Sequence, residues 1–233
     1  MTISRENVEA GYRRVIDPLV VLVLFLGGCA FTQEQPGTVR SSREPTSTQP
    51  STVGPGISPP NYFFPVKDCG FNYGRVHHDY PATDIFTGRD CAFVAVTDGR
   101  VDEVSSVDRW DPRTDRGEDR GGLSVSILGD DGVRYYGSHL KVIASGITPG
   151  KVVRAGELLG RVDNSGDARN TPTHVHFGIS WPTRPGVWWI RRGEVPPWPY
   201  LDSWQSNGRA SPAAEIFITR LRLGVEPACL AEC

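Results

Sequence analysis

The sequence predicts a mainly β fold, an antiparallel sheet or sandwich, from three observations. Apolar and polar residues alternate over short stretches, most clearly in Leu123-Ser-Val-Ser-Ile-Leu128, the period of a half-buried strand. Such stretches recur at close spacing. Turn-forming residues separate them, among them Asp98-Gly99 and Gly129-Asp-Asp-Gly132, as in sheets built from hairpins.

Taken in order, Ala92-Phe-Val-Ala-Val96 reads as a strand, Asp98-Gly99 as a tight turn and Arg100 to Val104 as the hairpin partner. Residues 106–121 are charged, mixed in sign and rich in turn formers. They form either a solvated loop or a groove wall carrying Trp110. Leu123–Leu128 and Val133–Tyr136 make a second hairpin. Val152-Val153, Leu158-Leu159 and Val162 sit on short segments broken by Gly150, Gly156 and Gly160, and His174–Trp181 is a further strand. Near the end, Ser211-Pro212 precedes AAEIFITRLRL and Gly224. Ser before the helix, Pro at its first turn and Gly past its end predict a capped helix.

The chain divides into four parts. In residues 1–29, Arg5, Arg13 and Arg14 precede the apolar run Leu19–Leu26 and Gly27-Gly28-Cys29. That run is shorter than the about 20 residues a bilayer requires and has the length of an export-signal core. Leu26-Gly-Gly-Cys29 resembles the lipobox of bacterial lipoproteins, which implies that Cys29 carries lipid and anchors the protein to the membrane, facing the cell wall. Residues 30–60 are dense in Ser, Thr, Pro, Gly and Gln, a composition that cannot bury enough apolar surface to fold and reads as a tether. Residues 61–195 are the expected globular domain, and 196–233 a C-terminal arm and helix. The formal net charge of −2 argues against a nucleic-acid binder.

Beyond Cys29, four cysteines remain: Cys69, Cys91, Cys229 and Cys233. An even number in an exported chain predicts disulfides, with three possible pairings. Cys69–Cys91 and Cys229–Cys233 are the favoured set.

All five histidines fall in three clusters: His77-His78, His139, and His174-x-His176. Imidazoles grouped in this way, with Asp84 six residues after His78, are the ligand types that suit a catalytic zinc. Residues i and i+2 of a strand share a face, so His174 and His176 project together. One can bind a metal while the other reaches a water or the substrate. His139 follows the Tyr135-Tyr136 strand and adds a third imidazole. The Pro-Ala bend in HHDYPATD can return His78 and Asp84 to one ion.

Over about residues 70–180 the chain resembles the lysostaphin-type (LytM) zinc metalloendopeptidases. The resemblance is carried by Asp84-Ile85, Val94-Ala95-Val96 with Asp98-Gly99, Tyr136-Gly-Ser-His139-Leu140, Gly156-Glu-Leu-Leu-Gly160, Asn164-Ser-Gly166 and His174-Val-His176-Phe-Gly-Ile. It implies one zinc ion per chain, ligated by Asp84, His176 and a histidine ahead of Asp84, with His139 and His174 catalytic. That family commonly places three residues between the first ligand and the Asp. Here that position is Tyr80, so His78 is taken as the ligand ahead of His77, with Tyr80 third. No HExxH occurs, so a histidine must move the proton. His139 is the expected base, with His174 acting on the oxyanion or the leaving amine, or the two exchanged. The implied function is a monomeric envelope endopeptidase that cuts stem-peptide cross-links of peptidoglycan through a metal-activated water. The competing expectation is a non-catalytic module of the same fold that binds the wall or activates another hydrolase.

Overall fold

The computed structural model describes residues 61–229. The expected signal, Cys29, the tether and Cys233 lie outside the described residues.

Ten strands form one antiparallel sheet: β1 (Val66–Lys67), β2 (Phe71–Tyr73), β3 (Thr83–Thr87), β4 (Ala92–Val94), β5 (Gly99–Ser105), β6 (Leu123–Gly129), β7 (Arg134–Ile143), β8 (Val152–Val153), β9 (Leu158–Val162) and β10 (His174–Ser180). The order is β1-β4-β9-β7-β10-β3-β2, with β6 also on β7, β5 on β6 and β8 on β5. Three helices follow: α1 (Trp188–Arg191), α2 (Trp198–Gln205) and α3 (Ala213–Leu223). The fold is mainly β with a C-terminal helix, as expected.

Strand β10 is central, and all seven of its residues are buried. Its even-numbered side chains His174 and His176 face the site. Val175, Phe177 and Ile179, each at 0% exposure, join the hydrophobic core on the other face. The pleat therefore separates chemistry from packing by alternation.

The β6–β7 hairpin forms as predicted, closed by Gly129 N–H to the Val133 carbonyl at 2.9 Å. The predicted hairpin across Asp98-Gly99 does not. Strand β4 pairs with β1 and β9, whereas β5 pairs with β6 and β8. The turn instead passes the chain from one part of the sheet to another. Asp98 is held by the 154–155 turn, its Oδ1 accepting the Ala155 N–H at 2.7 Å. Gly99 lies against the Leu128 carbonyl, where a Cβ would come within 2.3 Å of the oxygen. The missing side chain allows β5 to dock on β6 there.

The expected C-terminal arm contains a helix that sequence reading did not assign. Proline is tolerated in a first helical turn, and α2 begins at Trp198-Pro199. It buries Tyr200, Leu201 and Trp204 in the sheet's own core. The Trp204 ring stacks on Tyr62 at 5.3 Å. The predicted C-terminal helix is α3, with Gly224 past its end at φ 91°. It starts one residue later than expected, so Pro212 and not Ser211 is its N-cap residue, and Ser211 Oγ accepts the Ala213 N–H at 3.3 Å.

Cys69 and Cys91 form a disulfide, 22 residues apart with Cα atoms at 5.8 Å. It closes the loop that contains His77 and Asp84, which stabilises the fold by about 3 kcal/mol in the loop-entropy account. Cys229 is also disulfide-bonded. Its expected partner Cys233 lies outside the described residues.

Candidate metal centre and catalytic groove

Strand pairing builds the centre. In the β10–β3 register His176 stands directly opposite Asp84, and in the β10–β7 register opposite Ser138. Side chains on directly opposed residues meet on one face, so His176 and Asp84, 92 residues apart in sequence, touch: His176 Nδ1 lies 3.1 Å from Asp84 Oδ1. His174, two residues earlier on the same face, places Nε2 3.9 Å from the same oxygen.

His139 follows Ser138 on β7 and would alternate to the opposite face in a regular strand. Its backbone is left-handed, at φ 64°, a conformation uncommon outside glycine. A register shift in the β6–β7 pairing lies beside it. The strain is held from both sides: His139 N–H donates to the Gly121 carbonyl at 3.0 Å, and the His139 carbonyl accepts from Asp163 N–H at 3.1 Å. As a result the ring swings to the site face, 4.9 Å between ring centroids from His174.

The remaining imidazole is His77, not His78. His77, Asp84 and His176 each offer a ligand atom, all within 4.8 Å of one another. His77 Nε2 lies 3.6 Å from Asp84 Oδ1, and its side chain is 6% exposed. The chain reverses at His78-Asp79, ahead of the Pro81-Ala82 bend. That leaves His78 in the turn itself and exposed, its ring against the outer edge of His77 at 4.8 Å. The expected placement of His78 beside Asp84 is thereby corrected. Tyr80, the third option, lies against His77, ring to ring at 4.5 Å, beneath the Arg192 guanidinium at 4.1 Å. Burial raises its phenol far above the ordinary value, so it stays protonated.

Main-chain carbonyls set the ring tautomers. A carbonyl oxygen only accepts, so the nitrogen facing it carries the proton. His139 Nδ1 donates to the Ser165 carbonyl at 2.9 Å and His174 Nδ1 to the Pro172 carbonyl at 2.8 Å. Both Nε2 atoms are then the free positions. In His176 the order is reversed: Nε2 donates to the Arg192 carbonyl at 2.9 Å, leaving Nδ1 toward Asp84. Two bare lone pairs at 3.1 Å repel, so a proton or a cation belongs between them. Two imidazoles and a carboxylate suit zinc, and second-shell carbonyls of this kind are what orient metal-binding histidines. The donor set fits a transition-metal ion.

Sequence reading could not find these carbonyls, since a main-chain acceptor has no residue signature. One indirect signal existed. Gly178, two residues after His176, has no side chain because the Arg192 carbonyl occupies that space, 2.3 Å from where a Cβ would lie.

The centre lies in a groove of about 920 Å³. Trp110 and Glu118 line it together with Tyr80, Trp188 and Arg192, so residues 106–121 contribute to the groove and are not only a solvated loop. The loop is fastened by Asp108, whose Oδ2 accepts from Gly166 N–H at 3.0 Å and Arg169 at 2.9 Å. Tyr136 also faces the groove, whereas Tyr135 and Trp181 are core residues.

Burial and the nearby imidazoles His174 and His176 lower His139 to about 3. Burial and His176 lower His77 to about 4. Burial pushes Asp84 up, but the hydrogen bond and charge of His176, with His174 and His77, outweigh it and hold the carboxyl well below its ordinary value. Between pH 6.5 and about 4 the unfolded histidines bind protons that the folded ones refuse, so stability falls as pH falls. Asp84 adds in the same direction below 3.8. Metal-free protein should lose thermal stability steadily from pH 6.5 to 4, by up to about 1.4 kcal/mol per pH unit for each histidine. Thermal unfolding in chelator checks this, and a His139→Gln variant should give a shallower slope.

By fold and site, this is a mainly β domain with a candidate metal centre set in an open groove. Residues 78–186 match the model of Peptidase family M23. Over 141 residues the chain is 27% identical to the L-Ala--D-Glu endopeptidase of Bacillus subtilis (strain 168), covering 58% of this chain and 37% of that protein. It therefore spans little more than a third of that relative's length. A candidate glycyl-glycine endopeptidase lytM from Ruminococcus gnavus ATCC 29149 shares the fold, with a TM-score of 0.50 and 23% identity, over 64% of this chain and 62% of that one. The catalytic domain of lysostaphin from Staphylococcus simulans aligns at TM-score 0.42 and 21% identity, over 58% of this chain and 92% of that one.

Proposed function

We propose that this protein is a metal-dependent endopeptidase that hydrolyses stem-peptide cross-links of bacterial peptidoglycan, with one zinc ion held by His77, Asp84 and His176. The observation that carries the reading is the His176–Asp84 pair, whose facing atoms suit a shared proton or a cation, with His77 close enough to complete a ligand set and two tautomer-fixed imidazoles beside it. The match to the M23 family model and the endopeptidase named among the similar proteins support the reaction class.

The metal would supply Lewis-acid polarisation of the scissile carbonyl and acidify a water. The chain's own residues do the rest. His139, kept neutral by burial and with its Nδ1 proton committed to Ser165, offers Nε2 to accept a proton from water. His174, with Nδ1 committed to Pro172 and Nε2 near the Asp84 carboxylate, is placed to carry a second proton there. It would donate that proton to the oxyanion or the leaving amine. Export and anchoring through lipid at Cys29 would place this chemistry at the envelope.

Zinc-loaded protein incubated with purified cell wall should release fragments with new peptide termini and intact glycan, identified by mass spectrometry. Chelation should stop release and added zinc restore it. Stoichiometric zinc with an unaltered wall would overturn the catalytic reading in favour of a binding module.

A further inference from the structure

Helix α3 has two apolar faces, of which the protein covers one. Ile216 and Thr219 are buried against the domain, while Phe217, Ile218 and Leu221 are 63%, 64% and 71% exposed. At about 100° per residue, the exposed three span about 100° centred opposite the buried pair. A stripe of that width is what a helix normally turns toward a core. Arg220 borders it on one side and Arg222 on the other. Arg209 lies in the irregular segment before the helix. Among the described residues no ion pair engages these three arginines. The helix's one acid, Glu215, is turned aside, accepting the Tyr200 hydroxyl at 2.5 Å. Past the helix end, Val225 is also exposed.

We infer that this face of α3 rests on an anionic lipid surface. The apolar stripe matches the acyl boundary, and the arginine borders match negative headgroups. A second copy is a poorer match. A two-fold contact sets the same patch against itself, and here it would bring arginine borders together with no acid to meet them. The inference does not depend on the peptidase reading.

Hydrogen exchange of the 213–223 segment in the full chain tests it, because the readout is local to α3. Vesicles of phosphatidylcholine containing phosphatidylglycerol should slow exchange there on the order of tenfold or more, a stabilisation against local opening. Phosphatidylcholine alone should not, and salt should weaken the effect. Replacing Phe217 and Leu221 by Ser should abolish the protection and leave sheet amides exchanging as before. Since both side chains are exposed, the fold does not need them. Equal protection by neutral vesicles would overturn the anionic match. Vesicle attachment without protection of 213–223 would place the contact elsewhere in the chain. Protection that grows with protein concentration in the absence of lipid would assign the face to a second copy.

Discussion

Replacing His77 by alanine should lower zinc affinity by more than about 100-fold, beyond the usual range for loss of a second-shell partner, and should abolish hydrolysis. Replacing His78 should leave both close to those of the parent. The two residues are adjacent and chemically identical, so the comparison isolates geometry. His77 presents Nε2 to Asp84 at 3.6 Å from a side chain 6% exposed, whereas His78 sits in the turn facing solvent. Asp84→Ala should behave as His77→Ala does, and more severely, because it leaves two buried imbalanced imidazoles where a cation had charge compensation. Competition with a chromogenic chelator measures the affinities. Parent-like zinc binding by His77→Ala together with loss in His78→Ala would reverse the assignment.

His139→Ala and His174→Ala should each keep zinc and lose turnover. Neither belongs to the His77–Asp84–His176 group, and both have one ring nitrogen committed to a carbonyl and the other open to the groove. Positioned proton transfer contributes about 10²- to 10⁴-fold, so kcat should fall by that factor, equivalent to about 3–5 kcal/mol of barrier. Metal analysis beside steady-state kinetics on a cross-linked peptide separates this result from metal loss. Because the two rings lie 4.9 Å apart, the double variant should fall well short of the product of the single effects. Either single variant retaining parent kcat would remove that residue from the mechanism.

Much of this site is legible before any coordinates. His-x-His on a strand must share a face, because the pleat has period two. Histidines confined to three clusters already mark a common destination, and Cys69–Cys91 is the favoured one of three open pairings, which the structure selects. The alternation that predicts β6, β7 and β10 is local and survives folding unchanged.

The rest depends on contacts between residues distant in the chain. Nothing in His77-His78 says which ring turns inward, since the answer is set by where the chain reverses against the packed sheet. The partnership of β5 follows from a glycine meeting the Leu128 carbonyl, not from the turn that precedes the strand. Helix α2 is hidden by its prolines until Trp204 finds Tyr62. The amino-acid order by itself determined the β class, the paired histidines and the identity of the chemical groups. Tertiary structure alone decided which imidazole joins Asp84 and which ring nitrogen is free. Those choices are made by main-chain carbonyls, which every residue possesses and only folding brings to a particular ring.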